Sequence, residues 1–289
     1  MTPLQGTPLQ GTPPHPRATS PGLEVTDLTV RYGGHLALDN ITLEAPIGRL
    51  TGLIGPNGAG KTTTFNACSG LLRATTGRVL LRGNNVTRRG PAARARLGLG
   101  RTFQRMELFT SMTVAENVAL GREARVAGSN PLRQQISTPK RRAATRSATA
   151  EALELFGITN LADDSVGLLS TGQRRLVELA RVYAGGFDLL LLDEPSSGLD
   201  HAESEKLSAI LRGLVENHDI GILLVEHDMA MVMSVCDYLY VLDFGELIFE
   251  GTAAETQASP IVRAAYLGSE EGLAEIAADH EAREAAEVV

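Results

Sequence analysis

Residues 50–62 read Leu-Thr-Gly-Leu-Ile-Gly-Pro-Asn-Gly-Ala-Gly-Lys-Thr. The first five form an apolar run that suits a buried strand, and a helix is expected from Lys61. Between them, Gly55, Gly58 and Gly60 allow the backbone to curl so that successive N–H groups point inward at phosphate oxygens. The head of the helix adds its partial positive charge. Lys61 can then reach the terminal phosphates of a nucleotide, and the Thr62 hydroxyl can ligate Mg²⁺. Pro56, Asn57, Ala59 and Thr63 complete the candidate nucleotide-binding stretch.

A second apolar run, Leu189–Leu192, ends in Asp193 and Glu194. Ligands of open α/β sheets bind outside the carboxyl ends of such strands. Two acids there have few structural uses, because a buried carboxylate is costly unless paired or bound to a metal. Asp193 suits the Mg²⁺ shell, and Glu194 is placed to orient and deprotonate an attacking water.

Outward from these two signals, the chain alternates strands and helices. Residues 23–33 alternate apolar and polar like a half-buried strand, and residues 41–55 hold two strands around a Pro-Ile-Gly turn. A strand is expected at 77–83, and a helix from Thr113, with Glu116 three residues on as a capping partner. From Gln173 the order is helix, strand 189–194, helix, strand 220–228, helix and a strand pair over 238–251. Apolar strands alternating with helices predict a parallel sheet covered on both faces.

Composition bounds the rest. The 289 residues carry a net charge of −7 and only 4% aromatics, which argues against a nucleic-acid partner. Cys68 and Cys236 stand alone and read as reduced, buried thiols. No apolar run is long enough to span a bilayer, and no signal-peptide pattern opens the chain. Residues 1–22, with a repeated Thr-Pro-Leu-Gln-Gly, predict a disordered tail, and 269–289 an acidic one. Residues 129–148 are polar and basic, which suits a mobile loop leading into a helix: a solvated face, or a contact with lipid headgroups.

Leu169-Ser170-Thr171-Gly172-Gln173 resembles the LSGGQ signature of ABC-type ATPases. Phe103-Gln104 resembles that family's Q-loop, Ser197–Asp200 its D-loop and Glu226-His227-Asp228 its H-loop, and Tyr32 stands where the family places an adenine-stacking aromatic. The resemblance covers Leu23 to about Gly268 and implies an α/β fold: a RecA-like parallel-sheet core, an antiparallel β subdomain and a helical signature subdomain at roughly 104–172. It implies ATP and Mg²⁺ as cofactors, with Gln104 joining Thr62 and Asp193 at the metal. It casts Glu194 and His227 as the catalytic pair. It also implies that Ser170, Thr171, Gly172, Gln173 and Asp200 contact a nucleotide held by a second ATPase subunit. Thr171 departs from the commoner glycine, and its side chain could crowd the phosphate.

Residues 100–118, Leu224–Met229 and Ala265–Gly268 look like the ATPase subunits of branched-chain amino-acid importers. Urea importers and a lipopolysaccharide-export ATPase use related subunits. The resemblance implies integral-membrane permease subunits as partners, an indirect link to a substrate-binding protein, and a peripheral place on the cytoplasmic face of the membrane. Met106, Leu108, Phe109 and Met112 form an apolar cluster suited to docking a permease helix or to packing within the helical subdomain. A soluble ABC ATPase acting on nucleic acid or ribosomes is the rival reading, and one phosphate loop with one signature and no long heptad region argues against it.

Overall fold

The computed structural model describes residues 20–102, 107–127 and 138–267. Residues 1–19 of the N-terminal tail, the whole acidic C-terminal tail, Gly268, Phe103, Gln104, Met106 and 129–137 of the basic stretch fall outside the described residues.

Two sheets share one chain. The first is antiparallel and four-stranded, in the order β2-β1-β4-β5 (β1 Leu23–Tyr32, β2 His35–Ala45, β4 Thr76–Leu81, β5 Asn84–Asn85). Leu23, Val25, Leu28 and Val30 of β1 all face the interior. Keeping them there across 25–28 takes a bulge, where Asp27 adopts φ 51°. The second sheet has six strands in the order β10-β9-β3-β8-β7-β6. Its members are β3 Leu50–Ile54, β6 Leu99–Arg101, β7 Leu189–Asp193, β8 Gly221–Val225, β9 Tyr238–Asp243 and β10 Glu246–Gly251. The neighbours from β9 to β6 pair in parallel, and β10 closes one edge antiparallel.

Every residue of β3, β7 and β8 is buried, as a parallel sheet covered on both faces requires. Alternate residues of β7 serve two cores. Leu190 and Leu192 pack with the helical side, including Val177, Leu207 and Leu211; Leu189 and Leu191 pack with Phe65, Ile41 and Leu53 on the antiparallel side. Each fully buried leucine contributes about 2 kcal/mol, so the strand that delivers Asp193 is fixed from both faces.

The helices are α1 Lys61–Ser69, α2 Pro91–Arg96, α3 Val114–Ala127, α4 Pro139–Leu155, α5 Thr171–Ala184, α6 His201–His218, α7 Met229–Val235, α8 Ala253–Ala258 and α9 Pro260–Leu267. Thr113 and Glu116 cap α3 reciprocally, at 2.9 and 3.2 Å. Lys140, Arg141, Arg142 and Arg146 lie on α4, so the helix claims the second half of the basic stretch. Helices α3, α4 and α5 pack on one another, and the expected subdomain limit at 172 falls at the head of α5, whose apolar side completes that bundle. Among the described residues no helix is long and apolar enough to cross a membrane.

Cys68 and Cys236 are free and buried, and burial pushes the Cys68 thiol up to about 12. Buried Arg94 donates to the carbonyls of Ala67 and Cys68, both at 2.6 Å. A cation thus closes the C-terminal end of α1, where the helix dipole favours one.

Candidate nucleotide site

The site begins at the head of α1. Gly55, Gly58 and Gly60 adopt φ 146°, 81° and 105°, conformations that side chains rarely tolerate. A Cβ on Gly55 would stand 2.1 Å from the Leu242 carbonyl oxygen, so this turn admits only glycine. No side chain caps α1, and its first-turn N–H groups have no carbonyl one turn back to bond within the helix. Lys61 is buried, 6% exposed, with Nζ donating to the carbonyls of Gly55 (2.5 Å) and Pro56 (3.1 Å). A desolvated ammonium beside an open helix head, in a loop that holds no side-chain anion of its own, fits a polyphosphate.

The ends of β7 and β8 close the site from the other side. Asp193 is 4% exposed, and its Oδ2 accepts from Arg101 at 3.3 Å. Burial pushes its carboxyl above the ordinary range, opposed first by the Arg101 charge. Glu194 then turns the chain sharply, at φ 49°, and its Oε1 meets His227 Nε2 at 2.9 Å. Buried Glu226 accepts the Ser196 N–H at 2.6 Å and the His227 N–H at 3.1 Å. Burial raises its carboxyl, and these N–H groups partly offset the rise. Glu226 therefore ties the loop after β7 to the loop after β8, which sets Glu194 and His227 side by side.

Between these walls lies a cleft of about 390 Å³ lined by Tyr32, Asn57, Gly58, Ala59, Gly60, Lys61, Thr62, Thr63, Glu194 and His227, with His35 and Ala37 beside them. The structure thus brings together most of the residues expected to bind nucleotide and both members of the expected catalytic pair. Gly55 and Pro56 are buried, and Asp193 is buried and does not line the cleft. Gln104 lies outside the described residues. Tyr32 is half exposed on the tip of the β1–β2 hairpin, paired with His35.

The signature residues lie elsewhere. Ser170, Thr171, Gly172, Gln173 and Asp200 do not line the cleft. Ser170 caps α5 in a reciprocal box with Gln173 (3.0 and 3.2 Å), and Asp200 caps α6 in another with Glu203 (2.8 and 3.2 Å). The two heads touch. A Cβ on Gly172 would fall 2.3 Å from the Glu203 carboxylate, and one on Gly198 would sit 3.0 Å from the Thr171 methyl. In this chain, then, Gly172 makes room for the D-loop helix.

Sequence reasoning missed Arg101, Thr102 and His35, and gave Glu226 no role of its own. Glu226 carried the signal already used for Asp193, an acid at the end of an apolar strand. Arg101 carried none, because its partners are 32 to 92 residues away in sequence.

The sequence profile of the family described as ABC transporter matches residues 38–197. The chain is 38% identical over 251 residues to the high-affinity branched-chain amino acid transport ATP-binding protein BraF of Pseudomonas aeruginosa, covering 86% of this chain and 98% of that one. It is 37% identical over 253 residues to the protein of the same description, LivG, of Escherichia coli K12, covering 86% and 99%. Among solved structures it resembles MJ1267, an ATP-binding cassette of an ABC transporter, in its ADP conformation, with a TM-score of 0.76 and 30% identity over 87% of this chain and all of that one. An open phosphate loop facing a Glu–His pair, a signature helix held apart from it, and these likenesses over most of the length agree: the chain belongs to the ABC transporter family, as one of its ATP-hydrolysing cassettes.

Proposed function

We propose that this chain binds MgATP in the cleft and hydrolyses it to energise an importer of branched-chain amino acids. The observation that supports the chemistry most directly is the 2.9 Å contact between Glu194 and His227 on the same cleft as Lys61 and Thr62. The phosphates lie against the head of α1 and Lys61, and adenine stacks on Tyr32. Thr62, Asp193 and Gln104 would hold Mg²⁺, which when bound would neutralise charge that develops on the phosphates. Glu194 takes a proton from the attacking water. His227 holds Glu194 and the water in line and hydrogen-bonds the γ-phosphate.

Ser170, Thr171, Gly172, Gln173 and Asp200 complete the site of a second cassette, either another copy of this chain or a sister ATPase. Residues 23–268 form the ATPase domain, flanked by the tails. The chain works at the cytoplasmic face of the membrane, bound to permease subunits and served indirectly by a substrate-binding protein. The importer reading and its substrate are supported by relatives at 37 and 38% identity whose names state that transport.

Two measurements test this. Affinity capture of the full chain from detergent-solubilised membranes should bring down multi-span subunits, and cells lacking the chain should lose uptake of labelled leucine. Capture of ribosomes in place of membrane subunits would sink the transport reading. Unchanged leucine uptake with membrane subunits still captured would sink only the substrate.

A further inference from the structure

Arg101 ends the edge strand β6, and 9% of its side chain reaches solvent. Its Nη1 donates to Asn66 Oδ1 at 2.8 Å, to Ser69 Oγ at 2.7 Å and to the Phe65 carbonyl at 3.3 Å. Its Nη2 donates to Asp193 Oδ2 at 3.3 Å. Phe65, Asn66 and Ser69 all lie on α1, whose other end is the phosphate loop. The next residue acts on the same target, for the Asp193 backbone N–H donates to Thr102 Oγ1 at 3.1 Å. Thr102 N–H in turn donates to the Leu191 carbonyl at 3.0 Å. Two consecutive residues therefore hold Asp193 by its carboxylate and by its backbone, and one of them also grips the helix that begins at Lys61.

The planar guanidinium suits this task better than an ammonium, because it presents several donors in fixed directions and can serve two elements at once. Taking Oδ2 leaves Oδ1 as the carboxylate oxygen for other partners. A hydroxyl at Thr62 on the cleft and a buried carboxylate at Asp193, one residue before Glu194 on the same cleft, are hard oxygen donors of the kind that fit a divalent cation. We propose that Arg101 is a positioning residue for that cation: it orients the Asp193 carboxylate and locks α1 and β7 into one block, so that Thr62 and Asp193 present their oxygens at a constant separation. Thr102 supports the same function through the backbone. This inference rests on the MgATP reading of the cleft.

The test separates metal positioning from simple bracing of the fold. Binding of a fluorescent ATP analogue is measured for the full-length chain in EDTA and across a Mg²⁺ titration, alongside thermal melting. In wild type, Mg²⁺ should tighten analogue binding. Arg101→Lys keeps a cation but not the fork. It should bind the analogue in EDTA about as wild type does, and should need about tenfold more Mg²⁺ for the half-maximal effect, the range found when outer-shell partners of metal ligands are altered. Its kcat should fall more than its KM rises. Thr102→Val, of similar volume, should shift the Mg²⁺ midpoint in the same direction by less, and it serves as the test if Arg101→Lys does not fold. Equal losses of affinity with and without Mg²⁺, or an unmoved Mg²⁺ midpoint in a folded variant, would overturn the assignment and leave Arg101 as a strut. A wild-type chain whose analogue binding ignores Mg²⁺ would overturn the underlying reading of the cleft instead.

Discussion

The heads of α1 and α5 are both helix starts bordered by glycine, yet they are built in opposite ways. At α1 the preceding residue is a left-handed glycine, no side chain reaches back to the first turn, and a buried lysine waits beside it. At α5 the preceding residue is Ser170, and the box it forms with Gln173 satisfies both chain directions. An uncapped helix end is incomplete until a ligand arrives, whereas a capped one is complete alone. The first design suits a resident phosphate. The second suits a surface that is stable in the single chain, as the proposed contact with a second cassette's nucleotide requires. Exposure agrees with this: Ser170 and Thr171 face solvent, while Lys61 is enclosed.

The largest effect should come from breaking the α1 side. Glu194→Gln keeps shape and hydrogen bonding but removes the base, so steady-state hydrolysis should fall by at least about a hundredfold. ATP binding should persist, and light scattering with ATP should show the dimer accumulating. Turnover within a few-fold of wild type would remove Glu194 from the chemistry.

Next in size is the α5 side. Ser170→Arg should leave the affinity of the single chain for ATP largely intact while blocking the composite site, so turnover falls and no ATP-dependent dimer forms. Mixing this variant with Glu194→Gln tests the division directly. The mixed dimer holds one site with both defects and one with neither, so partial activity should reappear if two copies of this chain pair. Absence of rescue between folded variants would point to an obligate sister subunit. Wild-type turnover per chain that stays constant on dilution would erase the contrast between the two helix heads.

A smaller effect sharpens the contrast at the rim. Stacking on a nucleobase contributes about 1–3 kcal/mol, so Tyr32→Ala should raise the KM for ATP by about tenfold with kcat nearly unchanged. Tyr32→Phe should be mild. An unaltered KM in Tyr32→Ala would return the residue to the hairpin's packing.

How much of this was legible before folding follows the same division. The α1 head could be read because its chemistry is local: thirteen consecutive residues, Leu50 to Thr62, carry strand, loop and lysine together. The end of β7 was legible for a similar reason, since an apolar run ending in two acids states its own burial. The Glu194–His227 pairing could be anticipated only through the family resemblance. The Arg101 contacts to α1 and Asp193, and the bridge that Glu226 makes to Ser196, were not legible at all, because sheet order decides them. β6 is only three residues long and joins the sheet beside β7, which follows it by more than 80 residues. The make-up of the helical bundle was hidden for a different reason. The signature motif looks like a boundary in sequence, but its helix packs with α3 and α4 as the third member of the bundle.

The left-handed backbone at Glu194 has a consequence for how this position could change over generations. A residue with a Cβ held at φ 49° carries a conformational cost of about 1–2 kcal/mol that glycine escapes. Glu194→Gly and Glu194→Ala should both be inactive, but the glycine variant should be the more stable of the two by about 1 kcal/mol in chemical denaturation. Equal stabilities would mean that the neighbouring turn relaxes when the side chain is lost. Selection for stability alone would drift this position toward glycine, so under the proposed role a glutamate that stays here is kept by its work at the cleft and at the expense of the fold.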